Sequence, residues 1–153
     1  MRFLEEHGDR AKDCLFATAP DVVGDARATM LRSAPFLPEI RRRGYPVALV
    51  GQNGLEDLAV PWDTFDVLFL GGDTEWKLGD HARALTAEAR RRSKWVHMGR
   101  VNSLKRLRYA ASIGCQSADG TYVAFGPDVN LPKCLEWVRK VNAEGSQLVV
   151  EAA

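Results

Sequence analysis

Five short apolar runs, each stopped by a turn residue or a polar cluster and most followed by a stretch of helical character, set the tightest limit on how this chain can fold. They occupy residues 14–19, 46–50, 66–70, 95–98 and 115–118. Continuous apolar runs of this length suit strands buried on both faces. Between them, residues 26–43 have helical character, with interruptions at Pro35 and Pro38 and a stop at Gly44. Residues 80–93 form a second helical stretch ending in Arg90-Arg91-Arg92, and residues 104–113 a third, opened by Asn102-Ser103 and closed by Gly114. A final amphipathic helix is expected over 131–141, with Leu135 and Trp137 turned inward. Strand-then-helix repetition requires right-handed crossovers and a parallel sheet, so the fold class is α/β. Two architectures satisfy it: a partial (β/α) TIM-barrel-like fold, or an open five-stranded flavodoxin-like sheet.

The chain is 153 residues long, and 46% of it is hydrophobic. That is enough for one domain, spanning 1–153, with a real core. A net charge of +1 excludes the global basic field of a dedicated nucleic-acid binder. Cys14, Cys115 and Cys134 are odd in number and far apart, which fits reduced thiols and neither a disulfide framework nor a structural zinc site. No metal and no cofactor is expected. No apolar run is long enough for a membrane span, and Met1-Arg2-Phe3-Leu4-Glu5-Glu6-His7 has no signal-peptide core. The expected location is the cytoplasm. Residues 1–12 read as the end of a helix feeding the first strand, which suggests a fold lacking its first element.

In either architecture the functional face lies at the carboxyl ends of the strands. There the chain places Asp21, Gln52, Gly71 and Gly72 with Glu75 and Trp76, Met98 with Arg100, and Asp119. The carboxylates of Asp21 and Asp119, an amide that both donates and accepts, backbone N–H groups freed by the paired glycines and a thioether suit a flat heterocycle such as a purine. An Asp at a strand end also serves as a helix cap, Trp76 also serves as packing, and a solvated helix face also explains Arg100, Lys105, Arg106 and Arg108. His97 and Met98 alternate, so only one of them can face the site.

In order and character these strand ends resemble the tRNA-guanine transglycosylase superfamily, and most closely its short phage and actinobacterial relatives linked to 7-deazaguanine modification of DNA. The resemblance covers residues 14–128. Ala19-Pro20-Asp21 looks like the element whose Asp holds the purine, Gly51-Gln52-Asn53-Gly54 like a Gln-Gly-Gly base-reading loop, and Gly71-Gly72 like the pair whose backbone reads the base. Met98-Gly99 is similar to the family's Met-Gly, and Gly114-Cys115-Gln116-Ser117-Ala118-Asp119 to the strand bearing the nucleophile. The resemblance implies a pentosyltransferase that exchanges guanine for a 7-deazaguanine base through a covalent Asp119 intermediate. Asp21, Gln52, Gly71 and Gly72 would then hold the base and Met98 would pack on its face. Two departures stand out. Nothing in residues 1–13 matches the family's Asp-Ser-Gly-Gly-Phe element, whose Asp is a general acid/base, and the Cys-rich zinc unit is absent. The implied partners are therefore a 7-deazaguanine base and nucleic acid, DNA rather than tRNA. The other functional readings are a non-catalytic deazapurine or nucleotide binder and a structural interaction module. An incomplete barrel also leaves open edges that a second copy can cover, giving a homo-oligomer.

Overall fold

A computed structural model of the protein describes residues 1–151. Its sheet has five parallel strands in the order β1-β2-β3-β4-β5, curled into a half-barrel. They are β1 (Ala17–Thr18), β2 (Val47–Gly51), β3 (Val67–Leu70), β4 (Trp95–Met98) and β5 (Ser117–Ala118). The helices are α1 (Arg2–Glu6), α2 (Ala26–Ser33), α3 (Phe36–Arg42), α4 (Thr74–Leu78), α5 (Asp80–Arg91), α6 (Leu104–Ser112) and α7 (Pro127–Glu151). An open doubly wound sheet reverses its strand order at a switch point. Here every crossover steps to the next neighbour in one direction, and with a constant hand that keeps the helices on one face.

Strand pairing sorts the side chains into two sets. Phe69, His97 and Ser117 stand level across β3, β4 and β5, as do Leu70, Met98 and Ala118 one residue on. The second set, with Leu49, Leu68 and Val96, belongs to the core that also takes in Leu37, Ile40, Leu85, Ala89 and Ala110 from the helices. The first set lies on the other, concave face, where Phe16 meets both Phe69 and His97 edge-on.

Local chemistry explains the element ends. The helical stretch over 26–43 breaks at Pro35, between α2 and α3. Pro38 falls in the first turn of α3, where no intrahelical N–H is needed, so it is accommodated. Gly44 closes α3 with φ +83°, a left-handed backbone that favours glycine. Asp25 and Ser103 cap α2 and α6, accepting from the Ala28 and Arg106 N–H groups.

Three expectations need correction. The edge strands are two residues each, far shorter than runs 14–19 and 115–118, because each has a neighbour on one side only. The last helix begins at Pro127 and reaches Glu151, well beyond 131–141. Leu135 is not inward but 49% exposed, in a row with exposed Leu131 and Val138, while Trp137 stacks on Tyr122. Among the described residues no helix is long and apolar enough to cross a membrane.

Candidate functional site

The carboxyl ends of the strands frame a cleft of about 320 Å³, bounded by Asp21, Gln52, Gly71, Arg100 and Asp119 over an apolar floor that includes Phe69. That volume is at the small end of ligand clefts, which run from about 300 to 1,000 Å³. Five of the nine residues singled out in the sequence therefore meet.

Gln52 is 1% exposed, and its amide is largely committed inside the protein. Its Oε1 accepts from Gly24 N–H at 3.0 Å and its Nε2 donates to Asp21 Oδ2 at 2.6 Å. The amide thus locks the loop after β1 onto the end of β2 and aims the Asp21 carboxylate. Its role is to orient a reader more than to read.

The glycine pair differs from expectation. Gly71 and Gly72 N–H both donate to the Gly51 carbonyl, at 2.9 and 3.0 Å, so neither amide is open to a base. Their carbonyls accept from Arg100 Nη2 at 2.6 Å each. Glycine is required here for close packing: a Cβ at Gly71 would stand 2.4 Å from Val50 Cγ1, and one at Gly72 2.4 Å from Trp76 Cε3. Trp76 is buried over this turn and donates Nε1–H to Glu56, so it is packing. Glu75 is exposed on α4 and does not bound the cleft.

Arg100 has φ +61°, a left-handed conformation that disfavours a residue with a Cβ. Such strain persists only where the surroundings impose it, and it gathers at functional sites. Here the bend sends the Arg100 N–H to Asp119 Oδ1 at 3.0 Å and its guanidinium to the glycine carbonyls.

Asp119 is held at both oxygens, by Arg100 N–H on Oδ1 and by His97 Nε2 at 3.0 Å on Oδ2. The His97 hydrogen bond is the largest influence on its carboxyl, and with the Arg100 N–H and the charges of His97 and Lys77 it outweighs burial and holds the group below the usual carboxylate range. The acid is ionised at neutral pH. Behind it Lys77, only 4% exposed, donates Nζ–H to the Gly99 carbonyl at 2.5 Å. Burial pushes that amine down to about 8, and the charges of Arg100 and Arg106 push the same way.

The pleat decides between His97 and Met98. Met98 points to the helices, 2% exposed in the core, and does not bound the cleft. His97, the alternative that the alternation left open, takes the concave face instead, and Lys77 is the residue that reading the sequence passed over. The Phe69–His97 register across β3 and β4 carries the placement of His97, but it becomes visible only once the strands are paired. Cys115 is inert in this setting, its thiol pushed up to about 12 by burial. Among the described residues no cluster of His, Cys, Asp and Glu could hold a metal ion.

No protein-family model matches this chain, and no curated protein matches it.

Proposed function

We propose that the cleft binds guanine or a 7-deazaguanine base and that Asp119 forms a covalent bond to C1′ of a nucleotide in base exchange. The observation that carries this reading is an ionised, doubly anchored Asp119 facing the same small cleft as Asp21, a carboxylate aimed by Gln52. Guanine presents N–H donors on its Watson–Crick edge, and a carboxylate accepts from them. Phe69 supplies an apolar surface below.

In the proposed reaction an Asp119 oxygen bonds to C1′ as the C1′–N9 bond breaks. Guanine leaves with the electron pair and takes a proton from solvent. The incoming 7-deazaguanine N9 then attacks C1′, gives up its proton, and returns the carboxylate. DNA is the nucleic acid proposed, with the target nucleotide turned out of the duplex to reach the cleft. A second copy of the chain is the proposed partner at the open edges.

The test is calorimetric titration with guanine, 7-cyano-7-deazaguanine and 7-aminomethyl-7-deazaguanine. Binding that Asp21→Ala abolishes is the expected result, and silence from all three bases would overturn the reading. A non-catalytic base binder is favoured by one observation: both Asp119 oxygens already accept hydrogen bonds, which lowers their nucleophilicity. A trapped adduct between DNA and Asp119 selects the enzyme, and tight base binding without an adduct selects the binder.

A further inference from the structure

Four side chains stand in line from the body of the sheet to the cleft. Trp95 Nε1 lies 2.8 Å from Ser117 Oγ, Ser117 Oγ lies 2.7 Å from His97 Nδ1, and His97 Nε2 lies 3.0 Å from Asp119 Oδ2. Their hydrogen-bonding capacities set the direction of the chain. An indole N–H can only donate, so Ser117 accepts from Trp95 and its own proton is available to Nδ1. An ionised carboxylate can only accept, so Nε2 carries a hydrogen. The carboxylate end therefore fixes the neutral tautomer as protonated at Nε2, and the Ser117 hydroxyl complements it by donating to Nδ1.

The ring has little freedom to turn. It is 6% exposed, with its centroid 4.6 Å from that of Phe69 and 5.0 Å from that of Phe16. Both nitrogens are engaged within the protein, which leaves none for a substrate. Ser117 does not bound the cleft and has a lone pair occupied by Trp95, so the Ser–His–Asp set is not arranged as a hydrolytic triad.

We propose that His97 is the positioning residue of this site, holding Asp119 by one oxygen through its Nε2 proton while Ser117, itself held by Trp95, satisfies Nδ1. Its catalytic consequence rests on the base-exchange reading; the tautomer and the hold on Asp119 do not. The charged groups around Asp119 are Lys77 from α4, Arg100 from the loop after β4, and Asp21 on the same cleft. Removal of His97 therefore leaves the two cations in place, and the carboxyl retains part of its downward shift.

The test uses NMR of the full chain labelled with carbon-13 and nitrogen-15. At a pH where His97 is neutral, its nitrogen shifts are expected to show hydrogen on Nε2. A neutral ring protonated at Nδ1 in the wild type would overturn the proposal. The Asp119 carboxyl carbon is then titrated. In His97→Leu its midpoint is expected to move up by roughly one pH unit, and His97→Gln, whose amide can still donate, should restore part of the difference. An unchanged midpoint in a folded His97→Leu would also overturn it. Ser117→Ala removes the partner of Nδ1 and is expected to change the Nδ1 shift while the hydrogen stays on Nε2, because Asp119 still only accepts; a ring that moves its hydrogen to Nδ1 would overturn the hold on Asp119. If His97→Leu does not fold, the wild-type tautomer decides. Adduct formation is measured alongside: wild type without an adduct defeats the enzyme reading alone, because the NMR outcomes stand apart from it.

Discussion

Asp21 and Asp25 stand four residues apart in the same loop, yet they do different work. Asp25 accepts from Ala28 N–H as the cap of α2, whereas Asp21 is aimed at the cleft by Gln52. Asp25→Ala is expected to lower stability by about 1 kcal/mol and leave base binding intact. Asp21→Ala should abolish base binding and also lower stability by about 1–3 kcal/mol, because the buried Gln52 Nε2 loses its acceptor, and urea unfolding beside calorimetric titration checks both. Lys77 gives a pH signature. Its amine falls from 10.5 to about 8 on folding, so between those pH values the unfolded chain binds more protons and stability rises with pH. Below pH 8 the cost of the buried charge is complete. Lys77→Met is expected to be more stable than wild type at pH 7, with the gap narrowing from pH 8 to 10; a constant gap in urea midpoints would defeat this account. Ser103 as a cap was legible in the sequence, because Asn102-Ser103 stands directly ahead of the helical stretch over 104–113. Lys77 was not, since a lysine in a polar stretch carries no mark of burial.

At the scale of elements, the pleat of β4 and the turn after β3 assign the roles. Met98 faces the helices, so Met98→Ala should cost about 2–5 kcal/mol of stability while folded protein still binds base. A selective loss of binding at unchanged stability would return Met98 to the site. In the turn after β3, Gly72→Ala drives a methyl group into the Trp76 ring, a collision between two fixed parts. The expected loss is about 1–3 kcal/mol, read from the urea midpoint. The sequence marked this turn as special, since two glycines end an apolar run there. It could not say whether glycine serves a ligand or a neighbouring ring, because that depends on the approach of Trp76 from α4 and of Arg100 from the next loop.

For the whole molecule, the half-barrel has an unpaired edge at β1 and another at β5, and Leu131, Leu135 and Val138 lie exposed along α7. Open strand edges and an apolar helix row both favour association. Sedimentation velocity is expected to show self-association that grows with concentration and weakens in Leu135→Lys. A monomer at all concentrations would mean that the two-residue edges and the charges around them suffice to keep copies apart.

The sequence by itself determined the class of fold, the helix breaks and caps, and the five strand ends along which function could lie. These depend on local physics: apolar run length, the geometry of proline and glycine, and side chains that bond the backbone a few residues away. Only the tertiary structure decided which groups share the cleft and which are already engaged. Gly71 and Gly72 give their N–H groups to Gly51, Gln52 gives its amide to Asp21 and Gly24, and His97 displaces Met98 at the concave face. Each of these outcomes depends on strand register and on partners roughly 20 or more residues away in the chain, and a shift of register by one residue turns every side chain of a strand to the opposite face.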